Sequence, residues 1–479
     1  MCPHSLTARG GDLRPEWLIS AGVAFARRHA LFLGLLCAGT GLRLVVLLAY
    51  RPALIIYDSQ GFLYTADHFR PDEVRPIGYS ALLKVLPDDL ALVAAVQHVM
   101  GLVIGALIYA LLLRLGLRRW VAALAAGPVL LDAYQIDLEH FILTETWFEL
   151  LLVGGCAALL WRHRPGVAGA ALAGALFAAT ALTRANGIVV IAPALATLVA
   201  LRWKESWRAT ALVVTALLAA FALPLAAYAV WFHSVHGQYA ISGYGGRFLY
   251  ARVTSFADCS KFSVRADERL LCPKQPPDRR PTLAGSTIEH YMWGEHSPIW
   301  RVPPKERSRV GGAFARRVIR NQPLDYLRTV SHDFARGFAP TRTTHQGELW
   351  ISRWQFPLVY PVYLDDTAAI IRRHGGHRPH VYRGLARFLR AYQRAAFTPG
   401  PVLAVGLLAS LLAALGVLGR ARRSGLRSAG FLFATMGLVV FGSTVLVNQF
   451  SWRYQLTLIV LLPAAAALGL SALLRNARG

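Results

Sequence analysis

The first long apolar run, LFLGLLCAGTGLRLVVLLAY at residues 31–50, is followed at residues 57–66 by YDSQGFLYTA. A run of this length is enough to cross a bilayer as an α-helix. The second stretch places a carboxylate, Asp58, among aromatic residues and a glycine at the mouth of that span. Because an ionisable group beside a span is costly unless it is paired or solvated, Asp58 is a candidate functional residue.

The composition of the whole chain is that of a membrane protein. Of its 479 residues, 55% are hydrophobic and 16% are charged, a balance that soluble globular domains rarely show. The predicted fold class is an all-α polytopic membrane protein with about ten transmembrane helices. The predicted spans lie at 31–50, 90–113, 121–136, 143–161, 166–183, 186–201, 208–231, 399–418, 429–447 and 454–474.

Basic residues in the short connections predict the orientation, because Lys and Arg mark the cytoplasmic side. Basic clusters follow every second span, so both termini are predicted to be cytoplasmic. The first run lies too far from the amino terminus for an ordinary cleaved signal and is interpreted as a retained span. The clusters are RLGLRRW (114–120), RHRPG (162–166), RWKESWR (202–208), GRARRSGLR (419–427) and the terminal RNARG.

This topology divides the chain into four parts. A cytoplasmic tail (1–30) precedes a seven-span block (31–231), which contains the outer loop 51–89. A large extracytoplasmic segment (232–398) and a three-span block (399–479) follow. Within the outer loop, FLYTADHF and GYSALLKVL are short, aromatic and amphipathic, which predicts helices at the membrane interface. Apolar residues at helical spacing among arginines predict further surface helices within 307–338 and 380–397.

Charge and cysteines are consistent with this topology. The net charge of +25 favours lipid headgroups or phosphorylated substrates as partners. Nucleic acid is disfavoured, because much of the charge falls outside the cell and no binding motif accompanies it. Cys259 and Cys272 share the outer segment 232–398, where an oxidising compartment allows a disulfide, so we expect them to pair.

Ionisable residues near the span ends gather on the outer face under this topology. Each has a plainer explanation by itself, such as a helix terminus favoured by the dipole or an arginine that reaches headgroups. Their combination favours a functional site. Arg43 and Asp132 fall inside apolar runs and receive no role. The outer set comprises Asp58, Arg75, Asp137, Glu139, His140, Glu145, Arg184, Arg453 and Tyr454.

Five motifs, in order along the chain, resemble the GT-C superfamily of polyprenyl-phosphate-sugar-dependent glycosyltransferases. The resemblance is to its bacterial branch, which is related to protein O-mannosyltransferases and lipid A aminoarabinose transferases. One departure is Ile77 after Pro76, where the family often has a double proline, and the outer segment 232–398 matches nothing assignable. The motifs are YDSQGFLYTA, RPIGYSALLKVL, ILTETWFELLL, LTRANGIVVIAPAL and RYQLTLIVLLP.

The resemblance implies that the seven-span block is catalytic and that an acidic residue of the first outer loop is the catalytic base. That residue is Asp58 in this sequence. The resemblance also implies a cavity at the outer membrane face, near the donor phosphate. The residues assigned to substrate binding there are Arg75, Tyr79, Glu145, Arg184, Arg453 and Tyr454.

The implied reaction transfers a sugar from a polyprenyl phosphate to a hydroxyl group of a protein, lipid or polysaccharide. A carboxylate base accelerates such a step by roughly 10²–10⁴-fold, and a single in-line displacement inverts the anomeric centre. Guanidinium groups suit the phosphate leaving group, so no cofactor is firmly expected. A divalent metal is allowed, with Asp137, Glu139 and His140 as weak candidate ligands that lack a defined spacing. The predicted location is the plasma (inner) membrane.

Other functions remain open from the sequence. A transporter or flippase of lipid-linked or anionic substrates is the main alternative, although the chain shows no duplicated halves. A polytopic scaffold and a glycosyltransferase that uses a diphosphate-linked donor are further alternatives.

Overall fold

The structure is a computed structural model that describes residues 23–417 and 424–474. Cys2, the terminal RNARG and most of the 419–427 cluster lie outside the described residues. Nearly all of the regular structure is helical. The α-helices are α1 (Ala30–Ala49), α2 (Tyr57–His68), α3 (Gly78–Val85), α4 (Leu90–Arg114), α5 (Arg119–Leu131), α6 (Ala133–Leu138), α7 (Glu145–Leu160), α8 (Val167–Thr183), α9 (Ile191–Arg202), α10 (Trp207–His236), α11 (Gly245–Val253), α12 (Thr287–Trp293), α13 (Arg307–Asn321), α14 (Pro323–Arg336), α15 (Thr367–Arg373), α16 (Arg383–Ala395), α17 (Gly400–Leu415), α18 (Leu426–Val447) and α19 (Leu456–Leu474).

Short elements complete the fold. Two strands, β1 (Tyr50–Arg51) and β2 (His380–Val381), pair antiparallel with Tyr50 opposite Val381. This pairing ties the end of α1 to the outer segment. Turns of 3₁₀-helix lie at Ala185–Val190, Cys259–Lys261, Arg269–Leu271, Pro277–Arg279, Pro298–Arg301, Pro304–Glu306, Ile351–Trp354 and Trp452–Gln455.

Six helices of the described chain are long and apolar enough to cross a membrane, or seven if Arg383–Ala395 and Gly400–Leu415, bent by 48°, form one broken span. Each predicted span contains a helix, but α5, α7 and α8 have only 13, 16 and 17 residues. The number of ten spans is therefore not confirmed. The six helices are Ala30–Ala49, Leu90–Arg114, Ala185–Arg202, Trp207–His236, Leu426–Val447 and Trp452–Leu474.

The predicted span 121–136 is broken at Asp132. Helix α5 ends at Leu131, and the Asp132 carboxylate accepts a hydrogen bond from the backbone N–H of Tyr134 at 2.9 Å, which caps α6. Asp132 also faces Arg342, with 3.4 Å between Oδ2 and Nη2. A helix cap and an ion pair to the outer segment thus explain this carboxylate, for which no role was predicted.

The last helix, α19, joins the two membrane blocks. It packs against α17 and α18 of its own block and against α5 of the amino-terminal block. Close approach depends on small residues, since a Cβ added at Gly469 would lie 2.7 Å from the backbone of Ser410 on α17. The start of α19 is thereby held beside the first outer loop.

The outer segment contains a separate apolar core. Helices α11, α12 and α13 pack around buried side chains that include Tyr250, Tyr291 and Phe314. The structure pairs Cys259 with Cys272, with 2.09 Å between the sulfurs. Further along the segment, α14 packs on α18 and α16 packs on α1, so the second half of the segment lies on the membrane helices.

Candidate active site

Asp58 lies in the first turn of α2, directly after the first span. The turn is closed by Ser59, whose Oγ accepts a hydrogen bond from the backbone N–H of Ile56 at 3.0 Å. A carboxylate in this position is favoured by the helix dipole. The side chain remains 31% exposed, which leaves one side of the carboxylate open to solvent.

Arg75 reaches Asp58 from the loop before α3. One carboxylate oxygen of Asp72 accepts the backbone N–H groups of Val74 and Arg75, at 2.9 and 2.7 Å, and so shapes this loop. Nη2 of Arg75 then donates to Oδ1 of Asp58 at 2.5 Å. A Cβ at Gly61 would lie 2.7 Å from Nη1 of Arg75, so a side chain there would require the guanidinium to shift.

Arg453 reaches the same carboxylate from the other end of the chain. It lies in the 3₁₀ turn before α19, and its Nη1 donates to Oδ2 of Asp58 at 2.6 Å. Its Nε donates to Oε1 of Glu145. The guanidinium also lies 5.6 Å from the ring of Trp354. One cation is therefore shared between two carboxylates.

Glu145 and Arg184 complete the arrangement. Glu145 is the first residue of α7, and its Oε1 accepts from Nη1 of Arg184, the residue after α8, at 2.6 Å. Backbones meet closely here, since a Cβ at Gly78 of α3 would lie 2.7 Å from the carbonyl oxygen of Leu182. We define the ion-pair chain as Arg75, Asp58, Arg453, Glu145 and Arg184, in order of contact.

The ion-pair chain has unused capacity to bind an anion. A guanidinium carries five N–H groups. In contacts with the described residues, Arg75 and Arg184 each donate one side-chain hydrogen bond and Arg453 donates two. Three guanidinium groups against two carboxylates leave one positive charge. An anion with oxygen acceptors, such as a phosphate, matches both the charge and the donors.

The electrostatics keep Asp58 ionised. Burial raises the pKa of its carboxyl group, but Arg75 and Arg453 outweigh that effect, and the pKa lies below its ordinary value. The group is therefore a carboxylate throughout the physiological range, and it accepts hydrogen bonds but cannot donate one.

The two tyrosines predicted for the site occupy different positions. The ring of Tyr454 lies 5.4 Å from the guanidinium of Arg184, which places it beside the ion-pair chain. Tyr79 is fully buried, and its hydroxyl donates to Gln97 at 2.6 Å. Gln97 in turn binds backbone carbonyl groups of Glu139 and Phe141. The structure thus places Tyr79 in the packing beneath the site and not in the chain.

The weak metal candidates do not converge in the structure. The carboxylate of Glu139 is held by Arg43, at 2.7 and 2.8 Å, and His140 is bound by His98 at 3.1 Å. Burial raises the pKa of Asp137 well above its ordinary value. Within residues 23–417 and 424–474, the one group of three side chains with metal-ligand spacing lies elsewhere, at His332, His345 and Glu348.

Two residues near the ion-pair chain were not predicted from the sequence. Trp354 covers Arg453, and its Nε1 donates to Oγ of Ser451 at 3.0 Å. Glu289 of α12 accepts from Gln449 at 2.9 Å. Burial raises the pKa of Glu289 to about 7 against the effect of Arg353. Both lie in the outer segment, where no motif or periodic pattern marked them.

Comparison with protein families supports the resemblance. Residues 86–239 match the model of a family described as dolichyl-phosphate-mannose-protein mannosyltransferase. The resemblance predicted from the motifs is confirmed over this segment. The match agrees with the predicted class, a multi-pass membrane glycosyltransferase of the GT-C type. The segment contains Glu145 and Arg184, whereas Asp58, Arg75 and Arg453 lie outside it.

Among solved structures, the chain is similar to the protein O-mannosyltransferase Pmt1–Pmt2 complex of S. cerevisiae bound to the sugar donor. The identity is 16% and the TM-score is 0.36. The similarity covers 52% of this chain and 37% of that chain. This protein thus spans little more than a third of the length of the chain that it matches. A search of curated proteins finds no match.

Proposed function

We propose that this protein transfers a sugar from a polyprenyl-phosphate donor to a hydroxyl acceptor on the extracytoplasmic face of the plasma membrane. The ion-pair chain is the observation that carries the proposal. Its five members come from five separate parts of the sequence and meet beside the ends of membrane helices. A donor with a lipid tail and a polar head needs a site at such a boundary.

The charge of the ion-pair chain fits the donor. A sugar linked to polyprenol through phosphate is a phosphodiester with one negative charge. This charge balances the single excess positive charge of the ion-pair chain. Departure of polyprenyl phosphate adds negative charge on the phosphate, and the unused N–H groups of Arg184 and Arg453 would stabilise it. Stabilisation of charge that develops during the reaction is the usual source of rate enhancement.

Asp58 is the proposed general base. In the protein without donor, Arg75 and Arg453 hold its carboxylate and make it a weak base. A bound phosphate would compete for Arg453, since this guanidinium already serves Asp58 and Glu145 and the phosphate would be its third anion. Asp58 would become more basic as the donor binds, and its exposed side would accept the proton of the acceptor hydroxyl.

Inversion at the anomeric carbon follows from the roles of the two carboxylates. Double displacement requires a second carboxylate as nucleophile. Glu145 is 3% exposed and accepts from both Arg184 and Arg453, so it is engaged in holding the guanidinium groups. A single displacement with Asp58 as base is the simpler assignment.

The acceptor class follows from the family description alone. That description names a protein as acceptor and mannose as the sugar. We therefore take a protein hydroxyl as the acceptor and polyprenyl-phosphate mannose as the first donor to test. A transporter has no specific observation in its favour.

The test is transfer of labelled mannose from polyprenyl-phosphate mannose by the purified full-length protein. Asp58→Asn should lower the transfer rate by roughly 10²–10⁴-fold while donor binding persists. The matched control is Asp365→Asn, since Asp365 is an exposed carboxylate of the outer segment. Near-normal turnover of Asp58→Asn would refute the base assignment. Labelling of a cysteine at position 58 only from the cytoplasm would refute the topology.

A further inference from the structure

We infer that His332, His345 and Glu348 of the outer segment form a zinc site that is separate from the ion-pair chain. One ligand atom from each of the three side chains lies within 4.8 Å of the others. Two imidazoles and one carboxylate are a donor set that zinc prefers, with a fourth position left for water. The site goes beyond the proposed glycosyl transfer and requires no part of it.

The first supporting observation concerns His332, on α14. Its Nδ1 lies 3.4 Å from Oδ1 of Asp333. Because an ionised carboxylate can only accept, Nδ1 carries the proton and Nε2 keeps its lone pair for a metal. A carboxylate behind the ligating imidazole is the usual outer partner of a zinc-bound histidine. Asp333 is itself fixed, since Oδ2 accepts from Arg252 at 2.6 Å.

The second observation concerns Glu348, which is buried. It accepts from Nε and Nη2 of Arg336, at 2.7 and 3.1 Å, and from the backbone N–H of His345 at 3.0 Å. A carboxylate has about four lone-pair positions, so one remains for a metal. Arg336 orients the carboxylate through two hydrogen bonds, although its charge lowers the affinity for a cation.

The third observation is access. His332 is 55% exposed, and His345 is also exposed, so an ion from solvent can reach both imidazoles. The two rings are already close, with 6.3 Å between their centroids. Binding would therefore need only small side-chain movements.

The site lies close to the turn that carries Arg453. The guanidinium of Arg336 lies 5.1 Å from the ring of Trp452, and Nε1 of Trp452 donates to the carbonyl oxygen of Thr343 at 3.0 Å. Trp452 is the neighbour of Arg453. A zinc ion would link α14 to the loop at 343–348 and thereby support the turn that presents Arg453.

The experiment is a zinc titration of the full-length protein, purified without a histidine tag and stripped with a chelator. We expect one zinc per chain and a rise in Tm on binding. His345→Ala and His332→Ala should each weaken zinc binding by more than about tenfold. His296→Ala, at an exposed histidine outside the group, is the control and should bind zinc as the wild type does.

Cobalt gives a second measurement that does not depend on stability. Cobalt bound to the wild-type protein should show the intense visible bands of a tetrahedral site, and His345→Ala should lose them. Absence of zinc binding by the wild type, equal binding by His345→Ala, or only weak octahedral cobalt bands would each overturn the proposal. No donor or acceptor is present in these measurements, so their outcome is independent of glycosyl transfer.

Discussion

Two clusters of arginine and carboxylate side chains differ in how fully the arginines are hydrogen-bonded. One is the buried group, Arg43 and Glu139, and the other is the ion-pair chain. In the buried group, Arg43 donates five hydrogen bonds, two to Glu139 and three to the carbonyl oxygens of Gly39, Val129 and Leu130. All five of its N–H groups are used. In the ion-pair chain, Arg453 donates only two such bonds to the described residues.

The difference shows how a ligand site can be told from a structural ion pair. Arg43 is 2% exposed, and all of its N–H groups already donate hydrogen bonds within the protein. It therefore has no free donor with which to bind a substrate. An unsaturated guanidinium at the edge of the membrane block can exchange a carboxylate for a phosphate. Unused hydrogen-bond capacity therefore distinguishes the ion-pair chain from the Arg43–Glu139 pair.

The largest effect after loss of Asp58 should come from the buried group. Arg43→Met removes the only arginine that contacts the buried Glu139 carboxylate in the described residues, leaving His98 and Gln135 beside it. The free energy of unfolding should fall by about 3–5 kcal/mol. Transfer per folded molecule should stay normal. Chemical denaturation of the purified protein measures this.

The control for that experiment is a surface pair. Arg164 pairs with Glu205 at 2.7 Å but is 70% exposed. Arg164→Met should change stability by less than about 1 kcal/mol. If Arg43→Met and Arg164→Met lowered the free energy of unfolding equally, burial would not explain the contribution of the Arg43–Glu139 pair.

A smaller effect is expected at Arg453, where the measured quantity is donor affinity. Arg453→Lys keeps the charge but loses the fork of N–H groups that suits phosphate. Loss of one or two charge-assisted hydrogen bonds should weaken donor binding by about 10–100-fold. The loss of stability should be smaller than that of Arg43→Met.

Arg372→Lys, at an exposed arginine of α15, is the matched control and should bind donor normally. Unchanged donor affinity in Arg453→Lys would remove the phosphate role and leave Arg453 a structural residue like Arg43.

The smallest effect concerns pH. With its pKa raised to about 7 by burial, Glu289 is neutral below that pH and charged above it. Its negative charge beside the ion-pair chain would oppose the donor phosphate, so donor affinity should fall as pH rises through 7. The change should be less than about tenfold, since Glu289 does not contact the chain directly.

Glu289→Gln should abolish this pH dependence, whereas Glu295→Gln, at an exposed glutamate, should keep it. Retention of the full transition in Glu289→Gln would assign it to another group. Asp58 adds nothing in this range, because its pKa lies below the ordinary value and it stays ionised.

Much of the helical architecture and the convergence of the ion-pair chain could be predicted from the sequence. Apolar runs predict helices, and a membrane restricts the ends of these helices to its two faces. Residues close to helix ends, such as Asp58, Glu145 and Arg453, are therefore expected at one of these two faces. The roles of these residues stay predictions. The broken span at Asp132 was not predicted, because hydropathy does not register a helix cap inside an apolar run.

The contributions of the outer segment could not be predicted. Trp354 and Glu289 reach the site through irregular backbone, which has no period to detect. Tyr79 shows the opposite difficulty, since its motif fixes the position of the residue but not the direction in which its hydroxyl points. Such details depend on tertiary packing.

The contact between Asp58 and Arg453 joins residues 395 positions apart. A ribosome therefore releases the proposed base long before it makes the cation that pairs with it. Until the turn before the final helix is made, Asp58 and Glu145 lack Arg453, the cation that they share. A nascent or truncated chain without Arg453 would therefore be inactive. Activity would begin only once the end of the chain has been made and inserted into the membrane.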